Sequence, residues 1–306
     1  MVRSETRPRP RIVGIEGARA RGLLALLRLY AWLSRGRGLQ RFAWELGRIA
    51  STHASALVAV HGIRLRVYLA DGYWVRSLFA GSYEPEIGAA LERVIRPRTP
   101  FIDCGANIGY WSLVAAVRHQ ARVVAIEPAG RSFERLTENV KLNGDVVETR
   151  HAAVWSRGGV VLSLVTHAQR HAGASVVNRR ERIGVAGYDV EEVETVTLDQ
   201  IHRECFAGED SVAIKLDVED AEIEALRGAR ELLASCDALL IYEDHGNDPE
   251  CRVSQEVLKV PKYGLYRWDD GFEKVSSLDD LRRIKVSRHT GYNFFGMRED
   301  SRFLRL

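Results

Sequence analysis

The stretch Phe101-Ile-Asp-Cys-Gly-Ala-Asn-Ile-Gly109 decides what fold to expect. Its apolar start predicts a buried β-strand, and the two glycines that follow allow backbone torsions and a close ligand approach that a Cβ atom would block. Residues 110–117 then carry the pattern of a helix packed on a sheet, so the free N–H groups of the turn are expected to point at a ligand. An ordinary strand-to-helix turn without a ligand is the alternative.

Strands and helices alternate on both sides of this stretch. Buried strands are predicted at 122–126, 146–154, 212–217 and 238–242, and helices at 87–95, 132–142, 221–234 and 251–259. A strand or hairpin at 58–69 precedes them, and a strand pair at 265–268 and 293–297 follows. This order predicts an α/β protein with a mostly parallel, doubly wound sheet and helices on both faces, which binds ligands at the carboxyl ends of its strands.

The composition is that of a globular protein. Of the 306 residues, 46% are hydrophobic and 28% are charged, which excludes collagen-like and fully disordered chains. The four cysteines lie far apart without a C-x-x-C pair, so neither a zinc site nor a disulfide framework is expected. A reducing, cytoplasmic setting fits this cysteine usage best.

Basic residues are concentrated near the N-terminus. Residues 1–60 hold 11 Arg and no Lys against 3 Glu, a net charge of +8, whereas the rest of the chain carries −5. We expect residues 1–57 to form a basic extension, disordered up to about residue 18 and helical over 18–49. The apolar run in this helix is short and interrupted by Arg28, and no small-residue cleavage site follows, so neither a transmembrane segment nor a signal peptide is predicted.

Three roles are open for the basic amphipathic helix, which has Arg21, Arg28 and Arg35 on one stripe and leucines on the opposite one. The interpretation we favour is a cap that packs its leucines on the main domain. In the second, the helix lies on an anionic membrane, which would place the protein at the inner face of that membrane, or contacts an acidic partner. The third is contact with nucleic acid.

Glu127, an acidic residue that directly follows the predicted strand 122–126, indicates a nucleotide-like ligand. A carboxylate at this place in a doubly wound sheet accepts hydrogen bonds from ribose hydroxyls. The turn offers Gly105 and Gly109 with Asn107 between them, without the third glycine of the dinucleotide pattern. The turn amides, Asn107 and Asp103 suit the carboxylate and amine of a methionyl group, so S-adenosylmethionine is favoured over a dinucleotide.

Three segments carry a family resemblance. Asp103-Cys-Gly-Ala-Asn-Ile-Gly-Tyr110, Ile126-Glu-Pro128 and Ile214-Lys-Leu-Asp-Val-Glu-Asp-Ala-Glu222 resemble the signature segments of FkbM-type S-adenosylmethionine-dependent methyltransferases. Weaker matches lie at Gly81-x-Tyr83-Glu84, Val196-Thr-Leu-Asp199 and Asn293-Phe-Phe-Gly296, so that the resemblance covers roughly residues 60 to 297. It implies a class-I, Rossmann-like fold and O-methylation of hydroxyls on sugars, polyketides or other secondary metabolites. Asp220 departs from the pattern, because the family usually has glycine there.

The turn and the resemblance together predict the donor site. We expect S-adenosylmethionine to be bound by Tyr83, Asp103, Gly105, Ala106, Asn107, Gly109, Glu127, Ala153 and Asp217. Around Ala153 no acidic side chain is available for the adenine amine, so contacts there are expected from the backbone.

Catalysis requires that the acceptor hydroxyl be held near the methyl carbon and lose its proton to a base. The candidates are Asp217, Glu219 and His245, which follow the fourth and fifth strands. Histidine titrates near neutrality, whereas a carboxylate serves as the base only if burial raises its pKa. Glu243 is a further strand-end acid, and Glu222 is expected to pair with an Arg on the helix surface. Asp217 can instead bind the donor's amine or cap a helix.

A metal site is the weaker alternative at these strand ends. Asp217, Asp244 and His245 can be combined into a Mg²⁺ site, but hard cations need more oxygen ligands than this set supplies, so no metal is predicted.

The region 58–306 is predicted to be one methyltransferase domain with a His/Arg-rich insert near 167–188, flanked by antiparallel or peripheral strands at 160–165 and 190–196. The insert's arginines are expected to be solvated, with a substrate-side lid as the alternative; they are Arg170, Arg179, Arg180 and Arg182.

The expected activity is O-methylation of a small-molecule or saccharide hydroxyl. RNA methylation, suggested by the Arg-rich extension, is a less favoured alternative because the rest of the chain is acidic, and nucleic acid is not expected as a partner. A donor-binding scaffold without catalysis is a third interpretation, favoured by Asp220. The sequence does not specify an oligomeric state.

Overall fold

The structure is a computed structural model that describes residues 10–17, 19–49, 53–80, 83–167, 170–175, 188–288, 290 and 292–306. The strands in chain order are β1 (Arg11–Glu16), β2 (Ser55–Val60), β3 (Ile63–Tyr68), β4 (Pro100–Cys104), β5 (Arg122–Ile126), β6 (Val147–Arg150), β7 (Ala153–Val154), β8 (Val161–His167), β9 (Arg170–Ser175), β10 (Tyr188–Val196), β11 (Ser211–Leu216), β12 (Asp237–Glu243), β13 (Tyr263–Trp268), β14 (Phe272–Val275) and β15 (Asn293–Arg298). The helices are α1 (Ala20–Ser34), α2 (Leu39–Ile49), α3 (Gly72–Ala80), α4 (Pro85–Val94), α5 (Tyr110–Leu113), α6 (Gly130–Leu142), α7 (Leu198–Cys205), α8 (Glu222–Arg227), α9 (Arg230–Ser235), α10 (Arg252–Leu258) and α11 (Leu278–Ile284), with a π-helical turn at Val114–Arg118 and a 3₁₀ turn at Arg302–Leu304.

The central sheet has eight strands in the order β14-β13-β15-β12-β11-β4-β5-β6. The five strands from the β6 edge inward, β6, β5, β4, β11 and β12, are parallel, while β15 runs antiparallel between β12 and β13. The chain reverses its direction of winding beside β4, so the carboxyl ends of β4 and β11 form the crevice where such sheets bind ligands. This arrangement confirms the class-I, Rossmann-like α/β fold.

Two hydrophobic cores cover the two faces of this sheet. Along β4, Phe101 belongs to one core and Ile102 to the other, and along β12 Leu239 and Leu240 divide in the same way. Side chains alternate between the faces of a strand, so each core lies on one face. The sheet therefore has no solvent-exposed face at its centre, which explains the continuous apolar runs in the sequence.

The N-terminal extension is more ordered than predicted. Strand β1 pairs antiparallel with β2, and β2 pairs with β3, so the prediction of disorder up to residue 18 is wrong for residues 11–16; residues 1–9 lie outside the described residues. The boundary expected at residue 58 falls inside β2. The single helix predicted over 18–49 is two helices, because Arg35, Gly36 and Gly38 adopt left-handed torsions that end α1 and turn the chain into α2.

The extension packs on the main domain, as a cap does. Leu23, Leu24 and Leu27 of α1 are buried in the core that also contains Phe101 of the central sheet. Tyr30 of α1 stacks on Phe42 of α2 at 4.0 Å between ring centroids. Among the described residues, no helix is both long enough and apolar enough to cross a membrane.

A smaller sheet stands beside the central one, in the order β7-β10-β8-β9. Strands β8 and β10 are antiparallel, as predicted for the segments that flank the insert. The insert's Arg179, Arg180 and Arg182 lie outside the described residues.

Candidate functional site

A cavity of about 240 Å³ opens at the carboxyl ends of β4, β5, β11 and β12. Its lining includes all three predicted catalytic residues and seven of the nine predicted donor-binding residues, which are Tyr83, Asp103, Gly105, Ala106, Asn107, Glu127 and Asp217. The other two do not line it: Gly109 begins helix α5, and Ala153 is buried in the short strand β7. The cavity is further lined by Tyr73, Trp74, Glu84, Tyr110, Trp111, Pro128, Lys215, Val218, Glu219, Glu243 and His245.

The glycine turn is shaped by the neighbouring strand. The N–H groups of Gly105 and Ala106 both donate to the carbonyl of Ile126, at 2.9 and 3.0 Å. Gly105 has φ +76°, and a Cβ atom there would lie 1.8 Å from the carbonyl oxygen of Asp217. Only glycine fits where the turn after β4 passes so close to the end of β11. This close approach places Asp217 next to the turn.

Asp103 is a buried carboxylate in which one of the two oxygens accepts no hydrogen bond from the described residues. Its Oδ2 accepts a hydrogen bond from Ser112 Oγ at 2.5 Å, while Oδ1 has no hydrogen-bond partner among the described residues. Burial raises the pKa of Asp103, and nearby Lys215 opposes that rise. A buried carboxylate oxygen without a donor costs free energy, so this atom marks a place where a ligand N–H or O–H group is stabilising.

Glu127 is held rigidly at the tip of β5. Its Oε2 accepts from the N–H of Asn107 at 2.8 Å, and its Oε1 accepts from the N–H of Ala129 at 3.0 Å. Burial raises the pKa of Glu127 to about 7, although both backbone donors favour the charged form. Each carboxylate oxygen has a second lone pair, so Glu127 can still accept hydrogen bonds from two hydroxyl groups.

Lys215, which the sequence analysis did not single out, supplies the cavity's buried ammonium group. Its Nζ lies 2.9 Å from Asp217 Oδ2. Burial by itself lowers the pKa of Lys215, but the carboxylates of Asp217, Asp103 and Glu84 more than offset this effect, and the pKa lies above its ordinary value. A lysine within a strand of otherwise apolar residues was the sequence signal for this group, because such a side chain needs a buried partner.

Aromatic side chains form one wall of the cavity. Two Tyr-Trp dipeptides, Tyr73-Trp74 on α3 and Tyr110-Trp111 on α5, meet around Tyr83. Trp74 Nε1 donates to Asn107 Oδ1 at 3.2 Å, so this wall is joined to the glycine turn. Sequence reasoning identified Tyr83 of this wall but missed the two dipeptides, because α3 was not predicted; their repetition was the available signal.

Glu84, a partly buried acid, also lines the cavity beside that wall. Trp111 Nε1 donates to Glu84 Oε2 at 2.6 Å. Burial raises the pKa of Glu84 to about 7, with Lys215 opposing and Asp217 adding to the rise.

Strand β12 ends in an acid, Glu243, which faces the nearby His245. Glu243 Oε2 lies 3.4 Å from His245 Nε2, and both side chains are partly exposed to the cavity. Burial, followed by repulsion from Asp217, Glu219 and Glu84, raises the pKa of Glu243 to about 8. Glu243 can therefore gain or lose a proton in the physiological pH range.

The loop after β11 differs from expectation at one residue. Glu222 is 5% exposed and accepts a hydrogen bond from the N–H of Val218 at 3.1 Å, so the expectation that it pairs with an Arg on the helix surface is wrong. Asp220 has φ +77°, a left-handed conformation in which glycine is the favoured residue. Asp220 thus stands at a position whose backbone conformation suits a glycine.

Asp244, the ligand that the metal alternative requires, is engaged elsewhere. It is fully buried and bonded to Lys285 Nζ and Ser254 Oγ, each at 2.5 Å. Within the described part of the chain, no cluster of three or more His, Cys, Asp or Glu side chains is suited to a metal ion.

Known proteins resemble the chain over this same region. The family description "Methyltransferase FkbM domain" matches residues 103–284. The hexuronic acid methyltransferase AglP of Haloferax volcanii is 26% identical over 167 residues, which are 52% of this chain and 64% of that protein. The methyltransferase sdnD of Sordaria araneosa is 30% identical over 163 residues, 44% of this chain and 62% of that protein. The chain thus spans less than two thirds of the length of these curated relatives.

Among solved structures, the FkbM methyltransferase of Methylobacillus flagellatus is 16% identical, with a TM-score of 0.42, and the alignment covers 74% of this chain and 55% of that one. The family match, in contrast, spans more than half of the present chain and includes both the glycine turn and the Lys215-x-Asp217 strand end. The chain belongs to the FkbM methyltransferase family.

Proposed function

We propose that the protein is an S-adenosylmethionine-dependent O-methyltransferase that acts on a hydroxyl group of a small molecule or saccharide. The observation that carries the proposal is Asp103, a residue of the cavity lining whose buried Oδ1 has no hydrogen-bond partner among the described residues. The donor's ammonium group would supply the missing hydrogen bond. The carboxylate of Glu127 is fixed by hydrogen bonds from two backbone N–H groups. It would accept further hydrogen bonds from the ribose hydroxyls of the donor.

The charge of the lining also suits this donor. Six carboxylic acids face the cavity, against one lysine and one histidine; they are Glu84, Asp103, Glu127, Asp217, Glu219 and Glu243. Neighbouring acids favour a cationic ligand, and aromatic faces such as those of Trp74 and Tyr110 attract cations as well. A dinucleotide, with its two phosphates, would meet repulsion at the same lining.

The donor, when bound, supplies an electrophilic methyl carbon on a positively charged sulfur. The chain's own residues would then have two tasks, which are to hold the acceptor oxygen in line with that carbon and to remove its proton. We assign the proton to the pair Glu243 and His245, because these groups face each other at the cavity and the pKa of Glu243 is near the working pH. Asp217 forms an ion pair with Lys215, so its role is to neutralise the lysine and hold it in position rather than to take the proton.

A saccharide acceptor is supported by one relative, whose name describes a hexuronic acid methyltransferase. The acidic lining argues that any carboxylate of such a sugar would lie away from Glu219 and Glu243, toward the solvent side of the cavity. RNA methylation has the Arg-rich extension as its support, while the rest of the chain has a net negative charge.

Calorimetry with S-adenosylmethionine and with its demethylated product tests the donor assignment. Asp103→Asn removes a charge-assisted hydrogen bond and is expected to weaken donor binding about 10- to 100-fold. The matched control is Asp145→Asn, on an exposed turn where the left-handed backbone also accommodates asparagine. A folded wild-type protein that binds neither compound would rule out the donor. Donor binding without methyl transfer to any saccharide or metabolite offered would favour the scaffold interpretation.

A further inference from the structure

Helix α1 has a second apolar surface, which does not pack on the main domain. While Leu23, Leu24 and Leu27 are buried, four large apolar side chains on the other side of the helix are exposed: Leu26 by 50%, Leu29 by 53%, Trp32 by 76% and Leu33 by 66%. Positions 26, 29 and 33 recur at helical spacing, and Trp32 lies beside them, so they form one stripe. Isolated exposed leucines need no explanation, but a contiguous stripe that includes a tryptophan indicates an interaction surface.

A strongly basic groove adjoins the C-terminal end of this stripe. The groove, of about 620 Å³, lies around the turn between α1 and α2 and is lined by Arg35, Arg37, Arg41 and Arg76 together with Trp44. The chain has no acidic residue between Glu16 and Glu45. An apolar stripe that borders a cluster of arginines is the pattern of helices that lie in the headgroup region of anionic membranes.

Helix α3 contributes residues both to the groove and to the active-site cavity. Tyr73 and Trp74 of this helix line the cavity, and Arg76 lines the basic groove. Residues 73 and 76 are one helical turn apart, about 4.5 Å along the axis. The two surfaces therefore share one wall.

We propose that the exposed stripe of α1 and the arginine groove dock the protein on the surface of an anionic phospholipid membrane. The arginines contact lipid phosphates, and Trp32, Leu33, Leu29 and Leu26 insert among the upper acyl carbons. A helix of 15 residues is about 22 Å long, shorter than the ~30 Å hydrocarbon core, so α1 lies in the interface and does not span it. Nucleic acid would use the arginines but would leave the leucine stripe unburied, which is why a membrane fits both halves of the surface.

Vesicle sedimentation of the full chain, without donor or acceptor, tests this proposal. The protein is expected to bind vesicles that contain phosphatidylglycerol, to bind phosphatidylcholine vesicles weakly, and to be released by salt. Each basic residue near an anionic leaflet contributes about fivefold to binding, so Arg37→Glu with Arg41→Glu should weaken it by about 25-fold or more. Trp32→Ser with Leu33→Ser removes two inserted side chains and should cost on the order of tenfold or more.

The matched control is Arg157→Glu with Arg230→Glu. These residues are exposed, and Arg230 begins α9, which packs on the opposite face of the sheet. This double variant makes the same change in net charge and should bind vesicles nearly as wild type does. Circular dichroism checks that every variant is folded. The proposal is overturned by absent vesicle binding, by binding that the Arg37/Arg41 and Trp32/Leu33 variants leave unchanged, or by binding of RNA in place of vesicles. None of these outcomes bears on donor binding, which is measured separately.

Discussion

At the scale of single residues, the acids of the cavity have few positive charges nearby to compensate them, and the proposed chemistry depends on this imbalance. Glu243 has His245 on one side and Asp217, Glu219 and Glu84 near it, so its negative charge is disfavoured by burial and by repulsion. Glu127 and Asp103 are affected mainly by burial. Glu243 alone among these three sits beside a partly exposed histidine, which supports the proposal that it takes the acceptor's proton.

Glu243→Gln is expected to lower methyl transfer by about 10² to 10⁴ while leaving donor affinity nearly unchanged, because the amide cannot accept the proton. The sign of the pH dependence follows from the pKa of about 8. Below that pH the carboxyl group is mostly protonated and inactive as a base, so kcat/KM of the wild type should rise with pH and level off above about 8.

Rates measured across this pH range, with calorimetry at one pH, check the expectation. The control is Glu209→Gln, since Glu209 is remote in the fold and pairs with Arg122 on the surface. A wild-type profile that is flat through pH 8, or a Gln variant with full activity, would contradict the assignment.

Apart from Tyr83, the cavity residues that sequence reasoning located lie at or near strand ends. Asp103 lies near the end of β4, and Asn107, Glu127 and Asp217 come shortly after β4, β5 and β11, so the topology of the sheet brings them together. The aromatic wall could not be found in this way, because Trp74 reaches the cavity from α3, a helix outside the alternating pattern. Gly109 was placed correctly in the turn but serves the start of α5, where a Cβ atom would lie 2.6 Å from Leu136.

At the scale of helices and strands, the predicted positions were correct and the breaks within them were missed. The helix expected over 221–234 is divided into α8 and α9 around Gly228. A Cβ atom on Gly228 would lie 2.2 Å from the carbonyl oxygen of Trp155, so a contact from a distant segment sets the break. Residue periodicity carries no information on such contacts, which is also why the strand expected over 146–154 divides between two sheets.

A buried ion pair joins three elements behind the cavity. Asp244 follows β12, Ser254 is in α10 and Lys285 ends α11. Lys285→Met should lower the free energy of unfolding by about 3–5 kcal/mol, because it leaves a fully buried carboxylate with a hydroxyl as its remaining side-chain partner.

Chemical denaturation measures this change. The exposed Lys259→Met, which breaks a surface pair with Glu256, should cost less than about 1 kcal/mol. Adding Asp244→Asn to Lys285→Met should restore part of the loss, since the unpaired charge is then gone. A Lys285→Met protein as stable as wild type would show that the pair is not what holds the three elements.

At the scale of the whole molecule, the N-terminal extension is part of the fold. Four of its leucines are almost completely buried: Leu23, Leu24, Leu27 and Leu39. At about 1.5–3 kcal/mol for each buried leucine, they contribute roughly 6–12 kcal/mol, which is comparable with the total stability of a typical domain. The basic extension therefore packs on the main domain, as the favoured cap interpretation of its leucine pattern expected.

Removal of residues 1–52 is accordingly expected to give an insoluble or unfolded chain. A milder variant, Leu27→Ala, should lower the free energy of unfolding by about 2–5 kcal/mol. Leu29→Ala on the exposed stripe of the same helix should change it by less than about 0.5 kcal/mol. Thermal and chemical denaturation compare the two. A truncated protein with the melting temperature of the full chain would mean that the extension is peripheral.

The position of β15 has a consequence for the order of folding during synthesis. This strand lies between β12 and β13, which precede it in the chain, and bonds to both. Until residue 298 has left the ribosome, β12 and β13 cannot be joined, and each presents an unpaired edge to other chains. The half of the sheet that holds the glycine turn is complete much earlier. We therefore expect the nascent protein to assemble the strands around the glycine turn first and to complete its sheet last, with its greatest exposure to aggregation between those two events.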